Sequence, residues 1–122
     1  MSKAKIQVFT CLLENNFTHH DLIPLIKSEN IPILQPDIMR GGYTNLLHTS
    51  NLANQFGIKI APHMFPELSI HIVASIENPS WLEYMGWYDH LWKEPLIPVN
   101  GTLKPTNRPG HGMDFKTEIY TL

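Results

Sequence analysis

Apolar and polar positions alternate along the chain in the manner of strands followed by helices. Ile6 to Leu13 is a short, partly β-branched apolar run that reads as a strand buried on both faces of a parallel sheet, ending at Glu14-Asn15. Asp21 then stands as an N-cap before Leu22, Ile23, Leu25 and Ile26, with Pro24 where a first helical turn tolerates it. Ile31 to Gln35 predicts a second strand. Gly41-Gly42 opens a helix carrying Leu46, Leu47, Ala53 and Phe56 at helical spacing, closed by Gly57. Ile58 to Ala61 predicts a third strand, Pro66-Glu67 starts a helix running to about Ile76, and Trp81 to Tyr84 predicts a fourth strand after Asn78-Pro79. From Trp92 the periodicity fades and Pro95, Pro98, Pro105 and Pro109 recur. The expected division is therefore a strand–helix region over 1–94 and an extended tail over 95–122.

Such alternation predicts an α/β fold with a parallel sheet and right-handed crossovers. Periodicity leaves open whether the sheet is doubly wound or part of a (β/α)8 barrel. A length of 122 residues, 43% hydrophobic and 16% charged, suits one packed domain. The formal net charge of −2, with basic residues scattered, gives no footprint for nucleic acid or an anionic membrane. Neither a signal peptide nor a membrane span is expected in the first thirteen residues. The single cysteine, Cys11, excludes an internal disulfide framework, reads as a buried inert thiol, and makes the cytoplasm the default compartment.

Each strand is followed by a polar residue at its carboxyl end: Glu14, Asp37, His63 and Glu83. The intervals of 23, 26 and 20 residues each match one strand–helix unit, so the four should converge on one mouth, where parallel α/β proteins build their sites. Singly, each is an ordinary loop histidine, helix cap or solvated strand-end carboxylate. His19, His20, His71, His90 and His111 read as structural or solvated, and Trp81, Tyr84, Trp87, Tyr88 and Trp92 as packing aromatics.

Glu14-Asn15, Gln35-Pro36-Asp37 with Gly41-Gly42, His63-Met64-Phe65 with Glu67-Leu68, Trp81-Leu82-Glu83-Tyr84 and Pro109-Gly110-His111-Gly112, in this order, resemble the mandelate racemase and muconate lactonizing enzyme family of the enolase superfamily. The resemblance runs from about Ile6 to about Phe115 and implies a partial (β/α)8 TIM barrel: about the last four units plus the tail. In that family a magnesium ion held by three carboxylates stabilises the enolate formed when a base removes the α-proton of a carboxylic acid, because a divalent cation offsets the second negative charge of an enediolate. The resemblance makes Glu14 the third metal carboxylate and pairs His63, as general acid–base, with Asp37, which orients it. It makes Glu83 the acid that donates a hydrogen bond to the enolate oxygen.

In that family the positions of two of the three metal ligands, and of the basic residues on the opposite wall, lie on earlier strands of a barrel of roughly 250 residues. The chain alone is therefore expected to hold no magnesium and to catalyse little or nothing. Three readings follow. The first is the C-terminal part of a sugar-acid dehydratase (a lyase) or a racemase (an isomerase), acting on a hydroxy or sugar acid once an N-terminal chain complements it. The second is a non-catalytic homo-oligomeric module. The third is a module that binds a small acid or cation.

Overall fold

The computed structural model describes residues 11–12, 18–27 and 31–121. Three short strands, β1 (Cys11–Leu12), β2 (Ile33–Leu34) and β3 (Lys59–Ile60), pair in parallel in the order β1-β2-β3. Helices α1 (Ile23–Ile26), α2 (Ile38–Gln55) and α3 (Pro66–Val73) follow them in turn. Sequential parallel strands with a helix after each are the arrangement the hydrophobic pattern predicts. The expected first strand is seen here only at Cys11 and Leu12. Its remainder, and Glu14 beyond it, lie outside the described residues.

The core forms where the sheet meets the helices. Leu34 and Ile60 from the strands, Leu46 and Ala53 from α2, Leu22 and Ile26 from the α1 region, and Ile72 from α3 are all buried in one cluster. Burying each Leu or Ile side chain contributes roughly 1.5–3 kcal/mol, which offsets the ordering of such short elements. Of the apolar positions expected to line α2, Leu46 and Ala53 are buried, whereas Leu47 and Phe56 are exposed.

Local chemistry moves several boundaries. Asp21 is not the N-cap of α1. Its Oδ2 accepts hydrogen bonds from the amide and hydroxyl of Thr18, so Thr18 caps a 3-10 turn over His19–Leu22 that leads into α1. The Gly41-Gly42 pair does stand where the longer helical segment begins, but α2 starts one turn earlier. Asp37 caps the helix at Ile38, and Gly42 (φ 73°, ψ 176°) separates that first turn from the longer helical segment after it. Gly57 ends α2 in left-handed geometry, its amide donating to Asn54 and that of Ile58 to Ala53, the paired bonds of a Schellman motif.

The fourth strand expected over Trp81–Tyr84 is absent. Pairing occurs earlier, as one parallel bridge between Ile60 and Pro79. There the Ile60 amide donates to the Asn78 carbonyl at 2.9 Å and the Ser80 amide to the Ile60 carbonyl at 2.8 Å. Alternate residues of β3 and the segment after it serve opposite neighbours: Lys59, Ala61 and His63 donate toward β2 and the residues flanking it. The next residue due to donate toward Ser80 is Pro62, which has no N–H, and the ladder stops.

The segment after Trp92 folds back on α3. Trp92 and Phe115 form an antiparallel bridge with stacked rings, Val99 bridges Thr102, and Ile70, Trp92, Leu96 and Met113 make a second buried cluster. Trp92 thus packs as expected, while Trp81 and Trp87 are exposed. His71 and His111 are structural: the His71 ring meets the His111 carbonyl at 3.2 Å, and His111 Nδ1 accepts the Met113 amide. His20 and His90 lie at the surface. Among the described residues no helix is long and apolar enough to cross a membrane.

Candidate functional site

The β2–β3 ladder runs on past both strands. The His63 amide donates to the Pro36 carbonyl at 3.1 Å, and Asp37 and His63 form an isolated parallel bridge. Backbone register therefore sets the two side chains next to each other at adjacent strand ends. His63 Nδ1 lies 3.7 Å from Asp37 Oδ2, longer than a hydrogen bond but within ion-pair distance when the imidazole is protonated.

Asp37 is held by more than this pairing. Its Oδ1 accepts the Met39 amide at 2.8 Å as the cap of α2, and Arg40 Nε stands 3.6 Å from Oδ2. The carboxylate is 9% exposed and the imidazole 22%, so the pair is partly withdrawn from solvent yet reachable. Arg40 was not among the residues singled out from sequence. Its place follows from the separate turn that Gly42 allows between Asp37 and the rest of α2.

Glu83 reaches the same region from the irregular segment beyond Ser80. Its Oε2 accepts the amide of Met64, the residue after His63, at 2.8 Å. Met64 (φ 50°) and Phe65 (φ 44°) are both left-handed, a conformation that costs about 1–3 kcal/mol in each non-glycine residue and persists only where surroundings enforce it. The Glu83 bond at Met64 and the stacking of Phe65 on Tyr88, 5.4 Å between centroids, supply that enforcement. The one sequence signal was Pro66, which disfavours right-handed helical geometry at Phe65.

Next to Glu83, the Tyr84 hydroxyl donates to Asp89 Oδ2 at 2.5 Å. This hydrogen bond first, then burial and the negative charges of Asp89 and Glu67, push the Tyr84 phenol up to about 12. Glu67 itself is buried in the first turn of α3.

Of the four residues expected at the mouth, Asp37, His63 and Glu83 lie on neighbouring segments, tied through the backbone of residues 36, 63 and 64. Glu14 lies outside the described residues. Among the described residues, no three of His, Cys, Asp and Glu are grouped so as to hold a metal ion. They do not by themselves fit a magnesium ion, which usually takes several oxygen ligands in near-octahedral geometry.

The family model described as enolase C-terminal domain-like matches residues 2–119. The chain is 28% identical over 107 residues to a 3,6-anhydro-alpha-L-galactonate cycloisomerase of Streptomyces coelicolor, covering 84% of this chain and 30% of that protein. It is 33% identical over 101 residues to an L-talarate/galactarate dehydratase of Salmonella typhimurium, covering 82% of this chain and 24% of that protein. The chain thus spans less than a third of the length of these relatives. Among solved structures, an L-talarate dehydratase of Polaromonas sp. JS666 complexed with Mg and L-glucarate superposes with a TM-score of 0.83 at 28% identity, covering 91% of this chain and 31% of that one. A mandelate racemase/muconate lactonizing enzyme from the same organism matches with the same score, identity and coverage.

Proposed function

We propose, because this chain belongs to the enolase C-terminal domain-like family of mandelate racemase/muconate lactonizing enzymes, that it supplies the closing strand ends of an enzyme that removes the α-proton of a sugar acid or related hydroxy acid. The observation that carries this reading is the Asp37–His63 pair, set on adjacent strand ends by backbone register, with Glu83 bonded to the next residue along. Dehydration and racemisation share the first step, and both remain within the proposal.

With Nδ1 of His63 facing Asp37, the other ring nitrogen, Nε2, is assigned the proton taken from substrate carbon. Asp37 holds the imidazole's orientation and opposes the positive charge it gains. In dehydration the departing hydroxyl takes a proton and leaves as water; in racemisation a proton returns to the carbon from the other face. Glu83, when protonated, donates a hydrogen bond to the oxygen on which negative charge develops.

Relatives are described with bound Mg. A magnesium ion would take Glu14 and groups supplied outside the described residues, and would offset the second negative charge of the enediolate. Reaction by the chain alone is accordingly proposed to be slight, with a polypeptide carrying the preceding barrel strands restoring it. A cytoplasmic setting suits such metabolic chemistry.

The test is magnesium-dependent exchange of the α-hydrogen of sugar acids in deuterium oxide, with and without the N-terminal half. Exchange that needs both parts and is lost in His63→Asn is expected. Equal exchange without the added half would refute the complementation reading, and full exchange by His63→Asn would refute the assigned base.

A second reading, a non-catalytic module that associates with its own copies, draws on the exposed apolar residues Tyr43 and Leu47, one helical turn apart on the longer segment of α2. A sedimenting monomer at about 100 μM, a concentration at which interfaces of micromolar affinity are occupied, would count against it.

A further inference from the structure

Glu83 occupies a stretch with no strand or helix, Trp81 to Gly86, so no ladder fixes its backbone. Its carboxylate nevertheless meets one amide, that of Met64, in a turn whose two left-handed residues are unfavourable by themselves. Two contacts flank this bond on the same loop. The Tyr84 hydroxyl on Asp89 closes the segment 84–89 around Gly86 (φ 66°), where an added Cβ would lie 3.3 Å from Asp89 Oδ2 and 3.4 Å from the Tyr84 hydroxyl. The Tyr88 ring, inside that closed segment, stacks nearly parallel on Phe65 at an interplanar angle of 13°.

Closing the loop fixes where Tyr88 stands relative to Glu83, and the stack fixes both against the turn that follows His63. We infer that Tyr84 and Tyr88 are positioning residues. Together they form a clasp that locks the Glu83 carboxylate onto the Met64 amide and so holds Glu83 and His63 in one arrangement. The clasp rests on the proposed function only for the roles of Glu83 and His63; its geometry involves neither substrate nor metal. The phenol stays protonated, and therefore a donor, throughout the neutral range, as the clasp requires.

Amide hydrogen exchange followed by NMR in the full chain tests this without turnover. Tyr84→Phe, which keeps the ring and removes the donor, and Tyr88→Ala, which removes the stack, should each speed exchange at the Met64 amide at least about tenfold. Tyr88→Phe, which keeps the stack, should restore protection. The Ala61 amide, bonded to the Leu34 carbonyl within the sheet, should not change. Unaltered Met64 protection in Tyr84→Phe and Tyr88→Ala would overturn the inference. So would an equal loss at Ala61, since the bond would then report only the stability of the sheet. Failure of a complemented enzyme to exchange the α-hydrogen would refute the proposed function and leave this measurement standing.

Discussion

Asp37 accepts the Met39 amide at the start of α2 and faces the His63 imidazole, so asparagine and alanine at this position should behave differently. Asparagine is as good an N-cap as aspartate, whereas alanine loses the cap, at about 1 kcal/mol. Asp37→Asn is expected to keep the urea midpoint of the parent while removing the charge opposite the imidazole, and Asp37→Ala to lose both. In a complemented enzyme both substitutions, like His63→Asn, should slow α-hydrogen exchange by about 10²-fold or more. Tyr84 gives a separate signature. Its folded-state pKa, about 12, is raised above the unfolded value of about 10. The folded state therefore binds that proton more tightly, and the resulting stability is fully present below about pH 10 and lost as pH rises toward about 12. Urea midpoints followed across that window should fall more steeply for the parent chain than for Tyr84→Phe.

The elements differ in how far local sequence accounts for them. At the end of α2, glycine in the left-handed position explains the stop, and Gly57→Ala should cost about 1 kcal/mol, read from denaturant unfolding. Gly112 carries an additional constraint. It too is left-handed, and a Cβ there would lie 1.7 Å from Thr106 Oγ1. Gly112→Ala should therefore lose about 2–4 kcal/mol, because strain and overpacking add, and Thr106→Gly should recover part of that loss. The apolar runs located β2 and β3 and their order, since strands buried on both faces have few polar positions to obscure the signal. The run Trp81–Tyr84 misled because a run of residues suited to a strand does not carry a ladder partner. Pairing ends after the bridge at Pro79 because Pro62, just past β3 and far away in sequence, has no N–H to continue it.

At the scale of the whole molecule, three described strands and one bridged segment form a parallel sheet covered by helices, and the chain beyond Trp92 returns to build a second core against α3. The solved relatives are about three times longer than the stretch matched here. If the proposed complementation holds, adding the N-terminal half should raise the thermal midpoint of this chain in a concentration-dependent way, because a partner that binds only the folded form stabilises it by mass action. A midpoint that does not move at excess partner would show that the two do not assemble.

By itself the sequence determined the strand–helix repeat, its parallel sense, and three polar positions that the described structure brings to neighbouring segments, because hydrophobic period and unit length are properties of consecutive residues. Tertiary structure alone decided that the carboxylate capping α2 is the one that faces His63, and that Glu83 is held by a backbone amide. It also decided that two tyrosines fasten its loop to the turn after His63. The contacts of Asp37 with His63, Glu83 with Met64 and Phe65 with Tyr88 join residues 19 to 26 positions apart, and their distances depend on ladder register and left-handed turns, which no local pattern encodes.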